Sequence, residues 1–243
     1  MPSYETLATC YDKLTADVDY EQWADYIHKR FQNIPGKIVL DLACGTGSLS
    51  FALAKKGYEM IGVDLSTDML GEAMEKNIDF QGEKPIFLCQ SMDKLDLFGT
   101  IDGCVCCLDS VNYVTEPEKL QETFQRVSLF LMPKGIFLFD IKSPYAFMSQ
   151  NGQFSLDENE DLFCIWRTET DPPFSRHEID LFQRQGDLWA REVESHCQRI
   201  YPPEEILEYL KNSGFTNIRQ YANLSENPPS EEEERIFFVA EKI

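Results

Sequence analysis

The stretch Asp41-Leu42-Ala43-Cys44-Gly45-Thr46-Gly47 limits the possible folds more than any other part of the chain. It stands between a short apolar run, residues 37–42, and a stretch of helical spacing, residues 48–56. Glycine at such a junction lets the backbone turn sharply and pass close to a ligand without a Cβ in the way. An apolar run too short for a buried helix, followed at once by a turn and a helix, reads as the opening of a βαβ unit. The rhythm then repeats. Residues 58–63 form a second strand closed by Asp64, and Ser66 or Thr67 caps a helix to about residue 76. Residues 85–90, 101–108 and 136–141 supply three more strands. Before the last of these come a helix opened by Pro117 and a turn at Pro133-Lys134-Gly135. Strands alternating with helices at this spacing predict a parallel sheet covered on both faces.

From about residue 161 to 201 the helical rhythm disappears. Residues 162–166, 178–182 and 188–193 read as strands, with Gln185-Gly186-Asp187 as a hairpin turn. A helix over residues 204–212 and strands over 215–221 and 235–241 close the chain, with a polar acidic loop at 225–234. The expected fold class is α/β, a doubly wound, mostly parallel seven-stranded sheet with an antiparallel β insert after strand five. The expected organisation is one domain over 1–243. Within it lie an N-terminal helical segment at 1–35, a ligand-binding core at 36–150, the insert at 151–201 and a C-terminal part at 202–243.

Composition excludes several classes. With 43% hydrophobic residues in 243, the chain can bury a sizeable core. A formal net charge of −20 repels phosphate backbones, so no nucleic-acid partner is expected. No run reaches the roughly 18 apolar residues a membrane helix needs, and the start shows neither a basic n-region nor an apolar h-region. A cytoplasmic protein with no membrane partner is the expectation. Eight cysteines then read as reduced thiols. Cys104 and Cys107 form a C-x-x-C, but a strand sends them to opposite faces and no second ligand pair lies nearby; no metal is expected.

Charge indicates the kind of ligand. Asp64 closes strand two at the spacing of an acid that takes both ribose hydroxyls. An NAD site would want a third glycine, where this chain has Ser50, and Asp41 would repel a pyrophosphate. Beside an ammonium or sulfonium the same acid is favourable, and S-adenosylmethionine carries both.

The run Val39–Gly47 resembles the first motif of class I S-adenosylmethionine-dependent methyltransferases. Ile61-Gly62-Val63-Asp64-Leu65-Ser66 resembles the family's ribose motif, and Gln90-Ser91-Met92-Asp93 its adenine segment. Leu108-Asp109-Ser110-Val111-Asn112-Tyr113 resembles the fourth-strand motif, and residues 131–137 the turn into strand five. The N-terminal residues 4–14 and 17–23 resemble the small bacterial YqeM-type branch. Ala43 replaces a frequent glycine, and the fourth motif lacks the Asn/Asp-Pro-Pro-Tyr/Phe of enzymes that methylate base amino groups. The resemblance implies S-adenosylmethionine as cofactor and S-adenosylhomocysteine as product. It assigns Asp41 and Ala43, Cys44, Gly45, Thr46 and Gly47 to the methionine part, Asp64 to the ribose, and Met92 and Asp93 to the adenine. Leu65, Met69, Ser91, Leu108 and Asp109 complete the implied cofactor set, with Tyr11 closing over it.

The acceptor side is less marked. Tyr4, Tyr11, Tyr20 and Trp23 form an aromatic N-terminal cluster, and the insert carries Trp166, Arg176, His177 and His196. His177 and His196 are the candidates for general base and Tyr11 is the further catalytic candidate, while His28 belongs to a surface helix. The expected activity is methyl transfer to a small-molecule acceptor, with oligomeric state unassigned. The alternatives are a cofactor-binding regulatory protein without turnover and an NAD-dependent oxidoreductase.

Overall fold

The computed structural model describes residues 7–158 and 160–243, so Tyr4 lies outside the described residues. The N-terminal segment holds a short helix α1 (Tyr11–Leu14) and a longer α2 (Tyr20–Arg30). Asp19 caps α2, its carboxylate accepting the Gln22 N–H at 3.0 Å. Trp23, Ala24, Tyr26 and Ile27 fall on one face of α2 and are buried.

The core follows as β1 (Ile38–Leu42), α3 (Ser48–Lys55), β2 (Glu59–Asp64), α4 (Thr67–Asp79), β3 (Ile86–Cys89), β4 (Ile101–Cys106), α5 (Pro117–Phe130) and β5 (Leu131–Lys142). After β5 come α6 (Pro144–Ser149), β6 (Phe154–Glu158), β7 (Leu162–Asp171), β8 (Phe174–Gln185) and β9 (Leu188–Arg199). The chain closes with α7 (Pro203–Asn212), β10 (Phe215–Tyr221) and β11 (Arg235–Lys242).

The seven-stranded sheet has the order β10-β11-β5-β4-β1-β2-β3. β1 to β5 run parallel, while β11 is antiparallel to both β5 and β10. Strand order reverses at β1, whose neighbours are β2 and β4, and a crevice opens there at the carboxyl ends of the strands. This is the expected α/β class. β6 to β9 form a separate four-stranded antiparallel sheet.

Both faces of the large sheet are buried. Leu40, Leu42, Cys104, Cys106, Phe124, Phe137 and Phe139 pack under α5 and α7. On the other face Val39, Val105, Cys107 and Leu138 meet Trp23, Ile27 and Leu53. Cys104 and Cys107 therefore sit in different cores. Of the eight thiols Cys89 is exposed, Cys44 and Cys197 are half-buried and the rest are buried. No helix among the described residues is long and apolar enough to cross a membrane.

Three features differ from the sequence expectation. The turn at residues 133–135 lies inside β5, because Leu131 already pairs with Ile101 before the register jumps to Ile136 opposite Gly103. Lys134, at φ 67°, absorbs the irregularity. β6 is exposed along its whole length, and its apolar alternation is only Phe154 and Leu156, too short to mark a strand. α6 is six residues long, too short for a helical period to show.

Candidate functional site

At the carboxyl ends of β1, β2 and β4 lies a cavity of about 490 Å³. Ala43 and Gly45 form its floor, and the end of β2 with the turn after β3 forms one flank. Leu108, Ser110 and Tyr113, after β4, form the other. Tyr11 from the N-terminal segment and Ser195 and Cys197 from β9 complete the wall.

The floor depends on backbone that side chains rarely adopt. Ala43, Gly45 and Gly47 have φ of 61°, 54° and 77°. Ala43 adopts this at a cost of roughly 1–2 kcal/mol. A Cβ on Gly45 would meet nothing within 4 Å, so the space before it is open cavity. Gly47 has a different role: a Cβ there would come within 2.9 Å of the Phe87 ring, so this glycine lets α3 pack on the sheet. The Cys44 N–H donates to the Val63 carbonyl at 3.0 Å and ties the loop to β2.

Asp64 sits where β2 ends and lines the cavity. Its Oδ2 accepts the Gly45 N–H and its Oδ1 the Ser66 N–H, both at 2.8 Å. Each oxygen keeps a further lone pair, so the carboxylate can still accept from two vicinal hydroxyls. Burial raises the Asp64 carboxyl above its ordinary value, and the backbone N–H groups oppose the rise. Leu65, Met69, Ser91, Met92 and Asp93 share this flank. The Ser91 hydroxyl donates to the Asp93 carboxylate.

Five of the cofactor candidates lie off this wall. Asp41 is 2% exposed beneath the loop, its Oδ2 accepting the Ser50 hydroxyl at 2.5 Å. Burial first, then the Asp64 charge, push its carboxyl up to about 7 against the help of Ser50. Cys44 turns its sulfur towards Gly62 of β2. The Thr46 hydroxyl donates to Asp12 at 2.6 Å, pinning α1 to the loop. Gly47 caps α3. Asp109 lies behind the β4 flank, on a second cavity of about 470 Å³ that Lys142 and Arg235 also line.

The β4 flank is held by charge. Leu108 and Asp109 are both left-handed, at φ 59° and 50°. The carboxylate of Asp140, wholly buried in β5, accepts the N–H of each at 2.8 Å. Arg235 donates to Asp140, and to Asp109 at 2.9 Å. Gln198 of β9 donates to the other oxygen of Asp109 at 2.7 Å.

The two insert histidines differ. His177 is bonded to Thr168 and Gln198 away from the cavity, and burial first, with Lys142 adding to it, pushes it down to about 4. His196 is 1% exposed, with Nδ1 3.1 Å from the Tyr113 hydroxyl and Nε2 2.8 Å from Glu194 Oε2. An ionised carboxylate only accepts, so Nε2 carries a proton, and Nδ1, when it carries none, accepts from the Tyr113 hydroxyl. Tyr113 lines the cavity, and its role was not read from the sequence; its position at the end of the turn after β4 was the available signal. Tyr20 and Trp23 pack with the core under α2 rather than on the cavity. Trp166 packs in the insert, and the ring of His28 is bonded to the Tyr58 hydroxyl at 3.0 Å.

The donor set fits the implied cofactor. Asp64, Asp93 and Glu116 stand on the wall against the single ammonium of Lys119, which pairs with Glu116 at 2.5 Å. Such a wall favours a cation and disfavours a pyrophosphate. Among the described residues no group of three or more His, Cys, Asp or Glu could hold a metal ion.

Comparison with known proteins agrees with this geometry. The family described as "Methyltransferase domain" matches residues 39–135. The YqeM protein of Bacillus subtilis (strain 168) is 39% identical over 246 residues, covering 98% of this chain and 97% of its own. The crystal structure of an S-adenosylmethionine-dependent methyltransferase from Clostridium acetobutylicum ATCC 824 is 34% identical and covers 99% of both chains at a TM-score of 0.88. A glycopeptide N-methyltransferase complexed with S-adenosylmethionine shares the fold at 20% identity, covering 93% of this chain and 95% of its own at a TM-score of 0.64.

Proposed function

The chain belongs to the class I S-adenosylmethionine-dependent methyltransferases, in the YqeM-like branch, and from that premise we propose that its acceptor is a small molecule and that His196 takes the acceptor's proton through Tyr113. The cavity volume carries the acceptor reading. About 490 Å³ lies in the lower half of the roughly 300–1,000 Å³ range of ligand sites, and a nucleoside cofactor must share it. What remains admits a small molecule. The N-terminal segment and the insert supply Tyr11, Ser195 and Cys197 to the wall, which supports their reading as covers. The net charge of −20 disfavours a nucleic acid. Neither the NAD-dependent nor the non-catalytic alternative has support in family or fold.

When bound, S-adenosylmethionine supplies a methyl group on a positively charged sulfonium. In this proposal Asp64 accepts from the ribose hydroxyls while the Gly45 and Ser66 N–H groups hold its carboxylate in place. Met92 and Asp93 would hold the adenine, and Leu108 would lie along the methionine half. The left-handed floor of Ala43 and Gly45 lets the backbone approach with no side chain larger than a methyl group. Alignment and exclusion of water by the covering segments supply much of the catalysis. An acceptor hydroxyl gives its proton to the Tyr113 oxygen as the Tyr113 proton passes to His196 Nδ1, and Glu194 stabilises the imidazolium. Tyr11, also on the wall, contributes shape to the acceptor side.

The test uses S-adenosylmethionine labelled in its methyl group. The protein is incubated with cell extract separated into small-molecule, nucleic-acid and protein fractions. Label in the small-molecule fraction supports the proposal. Label confined to macromolecules overturns it.

A further inference from the structure

Beyond the first ring of cavity residues, we infer that Asp140 and Arg235 are positioning residues that fix the Leu108–Asp109 turn in its left-handed form and so set the binding of the methionine half of the cofactor. The inference rests on the site reading above, which lays that half along Leu108.

Two consecutive non-glycine residues with positive φ do not hold that shape unaided. Here one carboxylate accepts both N–H groups, each at 2.8 Å. It reaches the turn from β5, the neighbour of β4, and is wholly buried. Burial raises the Asp140 carboxyl above its ordinary value, and Arg235 and the N–H donor oppose that rise. Arg235 opens β11, next to β5, and its guanidinium bonds to both Asp140 and Asp109. It also lies over the Trp23 ring, 5.6 Å from the centroid. A planar fork that bonds two carboxylates while stacking on an indole is work for arginine, which lysine cannot reproduce. Gln198 brings the insert into the same network through Asp109.

The sheet order separates the two halves of the cofactor. β1 lies between β2 and β4. Neighbouring strands are about 4.8 Å apart, so the ends of β2 and β4, which carry Asp64 and the turn at Leu108, stand about 10 Å apart. Disturbing the turn should therefore change contacts to the methionine half and leave those to the nucleoside intact.

The test measures binding of S-adenosylhomocysteine and of adenosine by calorimetry, with thermal unfolding of each ligand-free variant as a folding control. In Asp140→Asn one amide oxygen replaces two carboxylate oxygens, so one backbone N–H loses its acceptor. Affinity for S-adenosylhomocysteine should fall about tenfold or more while adenosine affinity changes less than about twofold. Arg235→Met should give the same pattern, and Arg235→Lys, which keeps the charge and folds more readily, an intermediate one. Equal losses for both ligands would mean general structural damage and overturn the inference, as would unchanged binding of both. Wild-type protein that bound neither ligand would overturn the site reading itself, a result distinct from either.

Discussion

Asp41 sits below the glycine loop with its carboxyl pushed up to about 7 from an ordinary 3.8. In the unfolded chain it loses its proton near its ordinary value. Below about pH 4 it is protonated in both states and affects stability little. Between about 4 and 7 the folded state binds the extra proton, so this group's contribution to stability falls as pH rises, and above 7 the deficit is constant. Three units at about 1.4 kcal/mol each make that deficit about 4 kcal/mol. Asp41→Asn removes the titration while its amide oxygen can still accept from Ser50. Its amide NH₂ adds a penalty of about 1–3 kcal/mol where it finds no acceptor, but that penalty does not vary with pH. The quantity to measure is thus the difference between variant and wild type by urea unfolding at several pH values from 4 to 9. It should move in the variant's favour by about 4 kcal/mol across that range, with most of the change between 5 and 7. Parallel curves for the two proteins would refute the claim that burial of an ionised Asp41 is costly.

Asp64→Ala should weaken S-adenosylhomocysteine binding at least about tenfold in calorimetry, because it removes the proposed acceptor for the ribose hydroxyls and frees the Gly45 and Ser66 N–H groups. Gly62→Ala would set a Cβ 2.6 Å from Phe87 and 2.9 Å from the Cys44 sulfur. The overpacking should cost about 1–3 kcal/mol and lower the unfolding midpoint. Tyr113→Phe should leave S-adenosylhomocysteine binding unchanged but slow methyl transfer to the labelled small-molecule fraction about 100-fold, read from initial rates.

What the sequence made legible was local. The strand, glycine turn and helix around residues 38–55 lie within one short span, and Asp64 ends one strand while Met92 and Asp93 follow the end of the next, both marked out by apolar runs. What it hid was paired across distance. Tyr113 and His196 are 83 residues apart, and Asp140 and Arg235 are 95 apart, so no local pattern announces either bond. Asp41 is instructive for another reason. Charge reasoning identified an acid that prefers a cation, but it could not show that this carboxylate turns under the loop to Ser50 rather than into the cavity. Asp109 was placed in the correct turn, yet its left-handed backbone carries the side chain behind the flank to Arg235.

The cysteines of the sheet give the molecule an internal clock for its own opening. Burial pushes the thiols of Cys104, Cys106 and Cys107 well above their ordinary values; the first two lie in β4 within one core, and Cys107, just after β4, lies in the other. Cys89, at the edge strand, is exposed. An alkylating reagent must therefore mark Cys89 from the native state, the half-buried Cys44 and Cys197 through small local excursions, and the β4 thiols only when the sheet itself parts. Read by mass spectrometry against time, that order separates breathing of the glycine loop from unfolding of the whole, without a label added to the chain.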